Sequence, residues 1–231
     1  MFGLDEWIAG ISDEGSILVV VLVATLLGLR HATDPDHLAA VSTLVVSGRE
    51  RATRAAARLG AAWGIGHAVT LVAFGVPILL AERYLPELVQ RGAETTVAAL
   101  IAFLAIRLLV RWRHGAFAAT PVGHHEHRHP ARTPAGAFGI GLVHGMGGSA
   151  GVGVLLLAAV PSRTLALVAL VVLALFTAVS MTLVTTGFGA VLSVRRFAGA
   201  LTTAAPALAL SSLAFGVWYA AAAWSLAPYP F

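Results

Sequence analysis

Long apolar runs separated by short polar stretches set the pattern of this chain. Six of them occupy about 16–46, 59–80, 95–112, 135–160, 164–191 and 201–224. They are continuous rather than alternating, and most reach the roughly 18 residues that mark a membrane-crossing helix. The pattern predicts an all-α polytopic membrane protein with six transmembrane helices; a β-barrel would alternate in polarity residue by residue. The first run is too long for one straight crossing. It contains Asp34-Pro35, and Pro35 lacks the N–H that would bond the His31 carbonyl, so the first helix is expected to break there. The stretches 47–58, 81–94, 113–134, 161–163 and 193–196 are expected to be loops.

The arginines add orientation. All 15 basic residues are Arg. Arg49, Arg51, Arg54, Arg58, Arg113, Arg128, Arg132, Arg195 and Arg196 follow spans one, three and five, with Arg107 and Arg111 near the end of span three. Only Arg83, Arg91 and Arg163 lie on the other side, with most of the acids. The positive-inside rule then puts both termini outside the cytoplasm and the 113–134 loop inside it, in a bacterial inner (plasma) membrane. Trp7, Tyr84, Trp112, Tyr219 and Trp224 fall near span ends, where aromatic belts belong.

A repeat emerges from the same pattern. Gly28-Leu29-Arg30-His31 matches Gly141-Leu142-Val143-His144, and Thr70-Leu71-Val72 followed by Gly75 matches Thr182-Leu183-Val184 followed by Gly187. The matches fall in order at nearly one offset. Three spans per repeat is an odd number, so the halves cross in opposite directions, as in secondary transporters with inverted repeats and broken helices. Residues 1–231 are read as a single transmembrane domain: repeat one about 16–112, a His-rich loop about 113–134, and repeat two about 135–224.

Composition sharpens the class. Hydrophobic residues make up 58% and charged residues 11%, against about 25% charged in soluble domains. With no Cys, disulfides, zinc–thiolate sites and thiol catalysis are excluded. The net charge of +4 does not suggest a nucleic-acid partner; the bilayer is the expected surrounding. The acidic segment 1–16 lacks the basic start of a signal peptide and is expected to be exposed or interfacial.

Against that background, Arg30-His31-Ala32-Thr33-Asp34-Pro35-Asp36-His37 places five ionisable groups inside an apolar run. Such groups are costly in hydrocarbon and mark functional sites. Two His and two Asp within seven residues are a good set of metal ligands, so a metal-ion site inside the membrane protein is expected. At 100° per residue, His31, Asp34 and His37 share one helix face. Asp36 points elsewhere on an unbroken helix, unless Pro35 redirects it or it orients a His ring from a second layer. Pro35 also frees the His31 carbonyl as an extra oxygen ligand. The competing structural account is a packing cluster in which Arg30 pairs with an Asp.

His67 follows Gly64 and Gly66, which admit a neighbouring helix; alone it is an interhelical hydrogen-bonding His. His144 precedes a Gly-rich stretch suited to close packing or an unwound backbone, and its repeat partner is His31. Ser149, Ser180, Thr182 and Thr185 are weak oxygen donors to a site, unless they bond their own backbone. His124, His125, His127 and His129 in the long loop form an accessory metal-binding run or an ordinary solvated loop. No nucleophile elbow, His-Glu-x-x-His or phosphate loop is present, so an enzyme is not expected.

The His31–His37 stretch, with four residues between His31 and Asp36-His37, resembles the signature of the nickel/cobalt transporter family. Gly66-His67 resembles that family's second motif. The second half carries His144 to Gly151 in place of an acidic, Thr-containing motif, and so resembles the short six-span branch described as urease-accessory or high-affinity nickel-transport proteins. The resemblance implies a permease for Ni²⁺ or Co²⁺, with His31, Asp34, Asp36, His37, His67 and His144 as metal-binding residues. It implies no prosthetic group, the metal ion being cargo, and a link to nickel-enzyme maturation. Because His binds metal when neutral, binding should fall as pH drops through the ordinary imidazole range, about 6.5. Other readings are efflux by the same fold, an intramembrane hydrolase using a metal-bound water, and a small-solute exporter that needs no metal ligands.

Overall fold

The computed structural model describes residues 3–46, 53–81, 86–115, 133–147, 160, 162–193 and 201–228. Among them are seven helices: α1 Gly3–His31, α2 Pro35–Val46, α3 Thr53–Ala81, α4 Glu87–Arg113, α5 Pro134–His144, α6 Arg163–Ser193 and α7 Leu201–Ala223. Within α3, α4, α6 and α7 lie four stretches long and apolar enough to cross a membrane, and Ile17–His31 of α1 is a shorter apolar segment. Their outward faces are apolar: Leu22 and Leu26 on α1, Phe103 and Ile106 on α4, Leu175 and Leu183 on α6. Water would penalise so much exposed hydrocarbon, whereas lipid does not.

The first apolar run breaks where Asp34-Pro35 interrupts it. At the end of α1 the Thr33 and Asp34 amides turn back to the Arg30 and His31 carbonyls at 2.8 and 3.1 Å. Helix α2 then starts at Pro35, the first helical position, where a missing N–H costs nothing. The Asp34 carbonyl accepts the first α2 bond, from Leu38 N–H at 3.0 Å. The His31 carbonyl therefore has a backbone partner in Asp34 rather than standing free.

Span four does not run through as a single helix from 135 to 160. Helix α5 stops at His144 and a turn follows at 145–147. Gly145 and Gly147 explain the stop, since glycine gives up the most backbone entropy in a helix. Elsewhere the helices begin earlier than hydropathy suggests. Helix α3 takes in Arg54 and Arg58, and α4 takes in Glu87, Arg91 and Glu94, all expected in loops. Glu94 is buried, with Gln90 Nε2 donating to its Oε1 at 3.1 Å. Helix α1 extends back through the acidic segment to Gly3.

Helix α3 packs against α6 and α5, α1 against α6, and α4 against α7, while α2 touches α4, α6 and α7. Gly60 lies against Thr185 and Gly75 against Leu170, so α3 and α6 are antiparallel. Helix α5 runs parallel to α3: Gly141 meets Trp63, and Gly145 meets Thr70. Helix α1 runs parallel to α6, with Ala24 packed among Ala169 and Leu173, and the Leu29 carbonyl reaching Ser180. It follows that α1 and α5 run in opposite directions. These approaches depend on small residues, as helix contacts in lipid generally do. A Cβ on Gly66 would strike the Phe138 carbonyl, and one on Gly141 the Trp63 carbonyl. Tyr219, expected in an aromatic belt, is fully buried against Val97, Ala98 and Ile101 of α4, whereas Trp224 is exposed.

Candidate metal centre

The C-terminal ends of α1 and α5 and the middle of α3 bring four histidines and two aspartates together. His31 closes α1 and His144 closes α5. His67 stands midway between Thr53 and Ala81. Asp36 and His37 occupy the first turn of α2. Helix C-termini carry partial negative charge, so two of them from opposite directions favour a cation between them.

The rings are close. His37 lies 4.5 Å from His31, 5.0 Å from His67 and 4.4 Å from His144 between centroids. His31 Nε2 and His67 Nε2 are 3.0 Å apart. Two imidazoles about 2.0–2.1 Å from one ion and at right angles around it would have their nitrogens about 3 Å apart. All four rings are shielded from solvent, His67 and His144 completely. Among the described residues, His37 Nε2, His67 Nδ1 and His144 Nδ1 are buried without a hydrogen-bond partner. Buried polar atoms are almost always satisfied, so these three imidazole nitrogens in one cluster are placed to hold a ligand.

The carboxylates act differently from what an unbroken helix suggests. Asp34 Oδ2 stands 3.2 Å from His31 Nδ1, and its Oδ1 3.4 Å from the exposed Arg30 guanidinium. Asp36 is the central acid. Its Oδ1 is 3.0 Å from His37 Nδ1 and its Oδ2 is 3.2 Å from His144 Nε2, with no solvent exposure. The break at residues 32–34 turns it inward. Asp34 and Asp36 thus each face the Nδ1 of one histidine, His31 and His37, the arrangement by which a carboxylate orients a ligating imidazole. The pairing of Arg30 with an aspartate is present, but at the edge of the cluster.

Hydroxyls hold the helix ends. Ending a helix leaves carbonyls without intrahelical partners. Ser180 of α6 donates to the Leu29 carbonyl of α1 at 2.6 Å, and Thr70 of α3 donates to the Leu142 carbonyl of α5 at 2.9 Å. Thr182 and Thr185 bond back to Ala178 and Met181 in their own helix. Ser149 and the loop histidines His124, His125, His127 and His129 lie outside the described residues.

Trp63 was absent from the residues singled out by sequence, yet it walls the cluster. Its ring centroid is 5.8 Å from both His37 and His144, and its buried indole N–H has no partner among the described residues. The signal was available: Trp63 precedes His67 by four residues, which places both on one helix face. Thr70, three residues after His67, was legible by the same spacing.

No family model matches the chain, and no solved structure matches it. Among curated proteins, the urease accessory protein UreH of Bacillus sp. (strain TB-90) is similar: 29% identical over 143 residues, covering 60% of this chain and 62% of that protein. The chain thus spans a little under two thirds of the relative's length.

Proposed function

We propose that this chain is a membrane permease that carries Ni²⁺ or Co²⁺ into the cytoplasm, and not an enzyme. The observation that carries the proposal is the convergence of His31, Asp36, His37, His67 and His144 at the middle of α3, between the ends of two helices that enter from opposite directions. Groups of this kind persist in apolar surroundings when they bind a substrate ion. A carboxylate and two helix C-termini supply negative potential for a divalent cation, and neutral imidazoles supply soft nitrogen ligands.

The helix directions support six crossings in two inverted repeats. The contact of α1 with α6 corresponds to that of α5 with α3, and the Ser180–Leu29 hydrogen bond corresponds to Thr70–Leu142. Rocking of one repeat against the other would expose the site to each side in turn. The relative's name links it to urease, and the resemblance seen in the sequence links that branch to nickel transport; together they favour supply of the ion toward the cytoplasm.

The test is ⁶³Ni²⁺ uptake into proteoliposomes by wild type, by His37→Ala and by a variant lacking residues 124–129. Accumulation by wild type and by the loop deletion, with none by His37→Ala, is the expected result. Equal uptake by wild type and His37→Ala would overturn the site. Direction is read in a deletion strain: nickel tolerance with a starved nickel enzyme means uptake, and the opposite phenotype means efflux.

A further inference from the structure

The donors around His37 fall into two groups. His31, His37 and His67 form one, Asp36, His37 and His144 the other, and within each the ligand atoms lie within 4.8 Å of one another. His37 belongs to both. Its Nδ1 faces Asp36 Oδ1 at 3.0 Å, while its Nε2 is buried and has no partner among the described residues. His144 reaches the same carboxylate through Nε2, and its ring stays 6.0 Å from that of His67.

We propose, on the basis of the permease reading above, that the cargo ion occupies two successive positions, one on each side of the His37 imidazole. The first is an all-imidazole position set by His31, His37 and His67. The second is a mixed position set by Asp36, His37 and His144. A neutral imidazole has a single nitrogen lone pair. His37 therefore ligates from Nε2 in the first position, with its proton on Nδ1 and held by Asp36, and from Nδ1 in the second, with its proton on Nε2. The ring stays neutral in both, one proton leaving Nδ1 and one joining Nε2 at each transfer, and the two positions are filled in turn rather than together. An ion moving across exchanges His31, His67 and the Nε2 of His37 for Asp36, His144 and the Nδ1 of His37. A second donor group beside the first shortens the distance over which a bare charge would cross a medium of low dielectric, where it is costly.

The first position lies between the end of α1 and the middle of α3, the second between the first turn of α2 and the end of α5. In the proposed topology α1 enters from outside and α2 carries the same span on toward the cytoplasm, so during uptake the position at the end of α1 loads first. The carboxylate position then receives the ion.

The experiment uses full-length protein in detergent for equilibrium ⁶³Ni²⁺ binding and nickel X-ray absorption, and proteoliposomes for uptake. Wild type, His67→Gln, His144→Gln, His37→Gln and Asp36→Asn are compared. Both His67→Gln and His144→Gln should still bind nickel, with affinity lowered about 10–100-fold, and both should lose most uptake. Their spectra should differ, with an imidazole-dominated shell in His144→Gln and a mixed imidazole–carboxylate shell in His67→Gln. His37→Gln should bind at neither position. Asp36→Asn, which keeps side-chain size, should bind through the imidazoles and fail to transport. Two results would overturn the two-position relay: no binding by His67→Gln beside wild-type binding and uptake by His144→Gln, or wild-type uptake by Asp36→Asn. Failure of wild type itself to bind any first-row divalent ion would overturn the permease reading, and the relay with it.

Discussion

The ends of α1 and α5 solve one backbone problem in one way and then diverge in chemistry. Each helix stops within the protein, and in each a carbonyl two residues before the terminal histidine accepts a hydroxyl from another helix: Leu29 from Ser180, Leu142 from Thr70. Past that point they differ. The α1 end continues into Asp34, Pro35, Asp36 and His37, which hold charge and ligands. The α5 end continues into Gly145, Met146 and Gly147, of which Gly145 lets α5 press onto His67 and Thr70. The difference teaches that the helix breaks are scaffold and the ligand set is an addition made mainly to one of them.

That comparison can be broken most forcefully at His37, the histidine common to both donor groups. His37→Ala should abolish saturable nickel binding and uptake, whereas a change on the α5 side, His144→Ala, should leave measurable binding; equal loss in both would erase the asymmetry. Next in size is packing at the α5 side. Gly141→Leu would force a side chain into the Trp63 carbonyl, and such overpacking costs typically about 1–3 kcal/mol, sometimes more. Its unfolding temperature in detergent should drop clearly, and an unchanged value would show that α5 is free to move away from α3.

Smaller effects test the hydroxyl clasps. Ser180→Ala and Thr70→Val should each destabilise by about 0.6 kcal/mol, the mean for interhelical hydrogen bonds in a membrane. If the two ends are equivalent as scaffold, unfolding shifts should match. If ligand geometry depends more on α1, nickel affinity should fall further in Ser180→Ala. The smallest effect belongs to Arg30. Its guanidinium meets the cluster at Asp34 Oδ1, 3.4 Å away, at the edge of the ligand set. Arg30→Gln should change nickel affinity by no more than a few-fold in equilibrium binding; a large loss would move Arg30 from the edge of the site into its function.

Much of this was legible along the chain. The apolar runs marked the long helices, because a helix must satisfy its own backbone where water is absent. Asp34-Pro35 marked the first break, because proline cannot complete the bond across it. His31, Asp36, His37, His67 and His144 stood out as ionisable groups in apolar sequence, and the structure brings them together. The helical character of Glu87 to Glu94 was not legible, since charges in a helix look like a loop when a neighbouring helix that buries them is unknown. Nor was the burial of Tyr219, whose position near a span end resembles that of the exposed Trp224.

By itself, then, the order of residues determined where the apolar helical runs lie, where the first one breaks and which groups are too costly to bury without a purpose. These are local or compositional properties: hydrogen-bond valence, side-chain polarity and the helical period. Tertiary structure alone decided that Asp36 rather than Asp34 is the central acid, that Trp63 closes the cluster and that the donors divide around His37. Each depends on which surfaces meet. The angle between α1 and α2 aims Asp36, the glycine contacts set how deeply α5 enters, and distances between side chains on different helices have no counterpart in the spacing of residues along one of them.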